Sequence, residues 1–257
     1  MLDRSAYLAR IGYQGPLTSS VETLRGLHRA HVMTVPFENL DIHLGRPISL
    51  DPSDLFRKVV LQRRGGYCFE LNGLFALLLE DVGFAVTRLA ARVLYGAEGE
   101  RPRSHQLLMV KTGANAWIVD VGFGGHGLLE PLRLAIGEEG RQGQECFRLV
   151  VGERGEYLLQ GERDRLWMDI YSFGLESCLP VDYLFASYYH SHSPDSLFTQ
   201  QRICTMPTPE GRASLIDNVL KVRGHEGTQE LHVKSEEQCK TLLQEHFGLT
   251  INDHLMF

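Results

Sequence analysis

The sequence has no stretch approaching the roughly 20 apolar residues that a bilayer-spanning helix requires. Its longest apolar block, 74–79, is stopped at once by Glu80 and Asp81. The opening Met1-Leu2-Asp3-Arg4-Ser5 lacks the basic start and apolar run of a secretory signal, so a cytoplasmic location is expected. Positive charge is also scarce: the formal net charge is −6, which gives bulk electrostatics no hold on nucleic acid. The five cysteines (68, 146, 178, 204 and 239) form no CxxC pair and are odd in number. That count argues against a disulfide framework and for reduced thiols, most of them small buried hydrophobes. Internal repeats and low-complexity segments are missing as well.

What is there is an ordinary globular balance: 43% of the 257 residues are hydrophobic and 23% charged, enough for one large domain or a few small ones. The first 83 residues carry apolar residues three and four apart, over 2–11 and 21–32, with Ser19 and Ser20 placed to cap the second run. Asp51 or Ser53 opens a third helix reaching Val60. After the break Arg63-Arg64-Gly65-Gly66-Tyr67, a helix with Leu71, Leu74, Phe75, Leu78, Leu79 and Val82 on one face runs to a C-cap at Gly83. From Phe84 the period changes to that of strands, expected at 85–95, 105–111, 116–122, 128–134, 145–151, 156–161 and 164–171 in an antiparallel sheet or barrel. A helix over 177–190, strands at 199–206, 213–222 and 229–234, and a helix from the Ser235/Gln238 capping box to Phe247, ended by Gly248, complete the pattern. The expected segments are 1–83, helical; 84–190, β with a linker helix; and 191–257, mixed.

Three residues stand out chemically. Cys68 follows two glycines at the first turn of a helix, where unpaired N–H groups and the helix dipole favour an anion. Asp120 lies in Ala116-Trp117-Ile118-Val119-Asp120-Val121, apolar on both faces, so its carboxylate is buried and needs a partner. His105 opens the preceding strand, and 112–115 reads as a hairpin turn. Pairing about that turn sets opposite one another residues whose numbers sum to about 226–227, which brings His105 beside Asp120 or its neighbours. A thiol, an imidazole and a carboxylate so placed make an activated nucleophile.

The segment from Arg63 to Phe75, with Arg-Gly-Gly-Tyr-Cys at its centre, resembles the nucleophile motif of the arylamine N-acetyltransferases, a family that includes N-hydroxyarylamine O-acetyltransferases. Ser104-His105, Val119-Asp120-Val121-Gly122-Phe123-Gly124 and Val35-Pro36-Phe37-Glu38-Asn39-Leu40 are similar to further motifs of that family, as is the stretch from His192 to Phe198. The resemblance implies an α+β fold of helical bundle, antiparallel β-barrel and α/β lid around a cysteine-proteinase-like catalytic core. It implies acetyl-CoA as co-substrate with no resident cofactor or metal, and ping-pong transfer of acetyl through a cysteine thioester to arylamines, arylhydrazines or N-hydroxyarylamines. By resemblance Cys68 is the nucleophile, His105 its base and Asp120 the orienter. Asn72, Arg64 and Glu38 support the site, Phe37, Phe123 and Phe198 line the acceptor pocket, and Gly122, Gly124 and Gly125 form the loop passed by CoA. The expected partners are acetyl-CoA and a small aromatic amine or hydrazine, not nucleic acid or membrane; monomer and homodimer both stay open.

Other readings compete. Residues 122–127 satisfy GxGxxG, but Pro131 and a strand-like run follow where a dinucleotide site needs a helix. His190 and His192 with Cys178 or Cys204 suggest metal ligands, yet 177–190 reads as helix and no CxxC supports them. A cysteine peptidase uses the same triad type; the motifs around Phe37 and Phe123 favour the acetyltransferase. A biosynthetic amide synthase, taking an acyl chain from a carrier protein, shares the fold and triad and is the alternative function.

Overall fold

Apolar spacing in the first third of the chain yields helices where it predicts them. In the computed structural model, which describes residues 2–163 and 165–255, α1 (Arg4–Ile11) is capped by Asp3, whose side chain accepts from the Ala6 N–H at 3.0 Å. Helix α2 (Val21–Val32) is capped by Ser20, accepting from Thr23 N–H at 3.3 Å. The strand β1 (Phe37–Glu38) and the short α3 (Leu40–His43) follow, with no periodic signal in so few residues. Of the two candidate caps for the next helix, Asp51 does the capping, accepting from the Ser53 N–H at 2.8 Å; α4 (Pro52–Phe56) then loosens into a π-helical turn over 57–61. Helix α5 (Cys68–Val82) ends at Gly83 in the left-handed region, φ +101°. Its residues Leu71, Leu74, Phe75, Leu78 and Leu79 pack without solvent contact against Tyr7, Leu24, Leu27 and Val59.

The next stretch forms an eight-stranded antiparallel sheet in the order β5-β4-β3-β2-β9-β8-β7-β6. Its strands are β2 (Ala85–Val93), β3 (Arg103–Thr112), β4 (Asn115–Val119), β5 (Leu132–Arg133), β6 (Glu139–Gln142), β7 (Glu145–Val151), β8 (Tyr157–Arg163) and β9 (Leu166–Phe173). Ile136, just past β5, bridges Leu149 of β7, so the sheet curls until its two ends nearly meet. Leu89, Leu107, Ile118, Phe147, Leu159 and Tyr171 fill the inside, while Leu108, Val110, Trp117 and Val119 point the other way into the helical core. Both faces of β3 and β4 are thus buried, as their apolar alternation demands. β3 and β4 pair as Leu108↔Val119 through Thr112↔Asn115, one of the two registers predicted.

Several boundaries differ from expectation. The run 128–134 gives only the two-residue β5: Pro131 has no N–H for a ladder, and the Leu129 and Glu130 N–H groups donate instead to Gln142 Oε1 at 2.8 and 3.0 Å. The expected strand 116–122 stops at Val119, and Asp120 leaves the ladder. The first residue of the expected strand 164–171 lies outside the described residues, as do residues 1, 256 and 257 of the first and last expected segments. The expected helix 177–190 is a 3-10 turn (Pro180–Tyr183) followed by α6 (Leu184–His192). The start of the expected strand 199–206 is helical, α7 (Leu197–Gln200), because Ser196 caps it, accepting from the Phe198 N–H at 3.2 Å.

The expected strand 213–222 is in fact a hairpin, β11 (Gly211–Ile216) and β12 (Val219–Gly224), turning at Asp217 with φ +49°. Asp tolerates that conformation, so Asp217-Asn218 breaks the run that the apolar pattern reads as one strand. With β10 (Ile203–Thr208) and β13 (Gly227–His232) these strands form a second antiparallel sheet, whose other edge is β1: Phe37 pairs Thr205 and Glu38 pairs Cys204. Helix α8 (Glu236–Phe247), capped by Ser235, covers this sheet with Leu242, Leu243 and Phe247. The architecture is α+β. Among the described residues no helix is long and apolar enough to cross a membrane.

Candidate active site

The helical core and the curled sheet meet at Cys68, His105 and Asp120, which are 4%, 3% and 1% exposed. Cys68 opens α5, and its Sγ lies 4.0 Å from the Ser104 carbonyl oxygen. His105 Nε2 is 2.7 Å from Asp120 Oδ2, which leaves Nδ1 as the ring nitrogen available to the thiol. Burial alone would discharge His105, but the Asp120 carboxylate, helped by the Cys68 sulfur, outweighs it and pushes the imidazole up to about 10. Burial works against charge on Asp120 too, and there the His105, Asn72 and Gly122 contacts win and hold it below its ordinary value. The structure therefore brings together the three residues that the sequence singles out.

The carboxylate is also held from behind. Asn72, one turn after Cys68 on the same face of α5, donates from Nδ2 to Asp120 Oδ1 (2.9 Å) and to the Gln106 carbonyl (2.7 Å), and accepts from the Val121 N–H (2.9 Å). The Gly122 N–H donates to Oδ1 at 3.0 Å. His28 on α2 was not foreseen: its Nε2 accepts from the Asp120 N–H at 3.3 Å while Nδ1 bonds the Leu129 carbonyl at 3.1 Å. Burial pushes His28 down to about 4, so it is a neutral spacer. At helical spacing with Leu24, Leu27 and His31 it reads simply as core, and nothing in the sequence sets it apart.

Beneath Cys68 runs a buried relay of charges. Arg64 Nη2 meets Glu38 Oε1 at 2.8 Å, the expected pair, and Arg64 Nη1 reaches Asp41 Oδ1 at 3.0 Å. Lys58 Nζ joins Asp41 Oδ2 (2.8 Å) to Glu70 Oε1 (2.7 Å), and Glu70 Oε2 accepts from the Tyr67 N–H (3.0 Å), one residue before Cys68. Burial opposes charge on Lys58, but Glu70, Glu38 and Asp41 outweigh it and hold the ammonium above its ordinary value. Asp41, Lys58 and Glu70 were missed. Only Glu70 carried a signal, as an acid three residues into the helix, where it caps its own N-terminus. Gly65 is required here: a Cβ would sit 2.1 Å from the Pro36 oxygen.

A cleft of about 580 Å³ opens over the thiol, lined by Cys68, His105 and all three expected aromatics, Phe37, Phe123 and Phe198. Phe37 and Phe198 meet at 5.7 Å between ring centres, and Phe123 stands edge-on to His105 at 5.2 Å. The three glycines of the 122–125 loop have different roles. A Cβ on Gly122 would lie 2.9 Å from Cys68 Cα, and one on Gly124 (φ +83°) 2.9 Å from the Phe37 ring, whereas Gly125 faces open space. His190 and His192 do not converge: His190 bonds the Ser104 carbonyl, and His192 stacks on Tyr188 at 4.2 Å.

Known proteins resemble this chain in sequence and in fold. A family profile described as N-acetyltransferase matches residues 20–256. The arylamine N-acetyltransferase / N-hydroxyarylamine O-acetyltransferase of Salmonella typhimurium is 38% identical over 96% of this chain and 89% of its own length. The arylamine N-acetyltransferase of Mycobacterium tuberculosis is 36% identical over 98% and 91%. Among solved structures, the Salmonella typhimurium enzyme superposes with a TM-score of 0.93 at 36% identity, covering 98% of this chain and 93% of that one. The Mycobacterium marinum enzyme in complex with CoA gives 0.90 at 32%, covering 96% and 92%. With the profile and the relatives matching most of its length and the solved structures sharing its fold, this chain belongs to the arylamine N-acetyltransferase family.

Proposed function

We propose that this protein carries acetyl from acetyl-CoA to aromatic amines, hydrazines or N-hydroxyarylamines through a thioester on Cys68. The observation that carries this reading is the 2.7 Å His105–Asp120 pair at the floor of an aromatic cleft that also contains Cys68. Asp120 keeps the thiol's proton on His105, so the sulfur attacks as thiolate. In the first half-reaction that sulfur bonds the acetyl carbon, the bond to the CoA sulfur breaks, and the His105 proton passes to the departing thiolate. In the second the amine nitrogen attacks the thioester, its proton moves to His105, and the Cys68 thiolate leaves, restoring the starting pair. In the first turn of α5 the Glu70 and Leu71 N–H groups donate to the Tyr67 carbonyl, which leaves those of Cys68 and Phe69 as the donors at hand for the oxyanion.

Phe37, Phe123 and Phe198 are proposed to clasp the acceptor ring, and the 122–125 loop to border the path of CoA. The CoA complex of the Mycobacterium marinum relative supports that donor. The decisive experiment exposes the protein to acetyl-CoA without acceptor and weighs it intact. One acetyl adduct in wild type, absent in Cys68→Ala and released by an arylamine, is expected. An unmodified protein that instead takes an acyl group from a carrier-protein thioester would replace this reading with an amide synthase.

A further inference from the structure

His190 stands in the cleft wall and has no part in the chemistry above. It lies on the last turn of α6, with its ring 4.9 Å from that of Phe198 and 6.0 Å from that of Phe69. Its Nε2 is 2.9 Å from the Ser104 carbonyl oxygen, the atom that Cys68 Sγ also approaches. A carbonyl oxygen can only accept, so Nε2 carries the hydrogen and Nδ1 keeps a lone pair in the neutral ring. Burial favours that neutral ring, and His105 nearby adds to the effect, with the Ser104 bond only partly opposing it. Nδ1 has no hydrogen-bond partner among the described residues, and it is not sealed into the core.

An aromatic amine attacking a thioester has two N–H hydrogens. One goes to His105 as the new bond forms; the other, in a cleft walled by aromatic rings, needs an acceptor or bears the cost of an unmet donor. We infer that His190 Nδ1 accepts that second hydrogen, making His190 an acceptor-binding residue that aligns the amine nitrogen beside Cys68. The inference rests on the acetyl-transfer reading and refines it: the residue serves the second half-reaction and not the first.

The test separates the half-reactions in wild type, His190→Leu and His190→Gln. Acetylation of Cys68 by acetyl-CoA, followed by mass, should run within about twofold of wild type in both variants. The KM for an arylamine such as anisidine should rise about five- to tenfold in His190→Leu, the scale of one uncharged hydrogen bond. His190→Gln, which has both an N–H for Ser104 and an oxygen for the amine, should recover most of that loss. An unchanged KM in His190→Leu overturns the inference. So does equal slowing of both half-reactions, which would mean that the ring merely props the Ser104 carbonyl. Absence of an acetyl adduct in wild type itself would bring down the acetyl-transfer reading and this inference with it. Should His190→Leu fail to fold, the arylamine KM of His190→Phe decides in its place.

Discussion

At the scale of single residues, the site depends on a carboxylate that the surrounding donors keep charged. Asp120 accepts from His105, Asn72 and the Gly122 N–H, all inside the protein. Asp120→Asn would set an amide NH₂ against one of those donors and strand the His105 charge. A loss of about 3 kcal/mol or more of stability is expected along with activity, since breaking a buried pair leaves an uncompensated charge. Urea denaturation showing the variant as stable as wild type would refute the pairing. The same pair fixes a pH dependence. His105 is raised to about 10, above the usual histidine value of about 6.5, so the stability tied to its proton is complete below the latter and is lost as pH climbs through the former. The stability gap between wild type and His105→Gln should therefore shrink steadily from pH 7 to 10; a gap that ignores pH would show that His105 is not held charged.

At the scale of elements, α5 works because other chain segments come unusually close to its first turn. Gly122 lets the strand-to-loop crossing touch the Cys68 backbone and Asn72, where a Cβ would sit 2.9 and 2.8 Å from them. Gly125, three residues on, has open space at the same point. Gly122→Ala should thus cost most of the activity and about 1–3 kcal/mol of stability, as overpacking does, while Gly125→Ala should leave the fold intact. Thermal melts and single-turnover acetylation of the two variants make the comparison, and equal effects would count against the close approach. The Glu38–Arg64–Asp41–Lys58–Glu70 relay acts at this scale too: it ties β1, α3, the π-helical turn and α5 into one support.

At the scale of the molecule, the C-terminal sheet is not an appendage. Its edge strand β1 comes from residues 37–38, and Leu40 packs into its core beside Cys204, Leu215 and Phe247. Phe37, a cleft residue, is therefore positioned by strands that come some 165 residues later in the chain. Phe247→Ala, at a site far from the cleft and 1% exposed, should cost about 3–5 kcal/mol. Because β1 stitches the two ends of the chain together, that loss should move one cooperative unfolding transition. Two separate transitions in calorimetry would show that the C-terminal sheet melts alone.

Helices α1, α2 and α5, their caps, and the β3–β4 register were determined by local sequence, because apolar period, capping side chains and a two-residue turn act over a few residues. That register brings His105 into the neighbourhood of Asp120, and the contact itself forms where Asp120 leaves the ladder, while Asn72 was legible only through the resemblance of its motif. What only the tertiary structure decided involves partners far apart in sequence. His28 supporting Asp120 across 92 residues, Lys58 linking Asp41 to Glu70, and β1 joining β10 leave no periodic trace. A lone histidine or lysine on an apolar helix face looks like core or surface until the fold supplies the group it meets, since burial and charge compensation are properties of the packed interior, not of the chain.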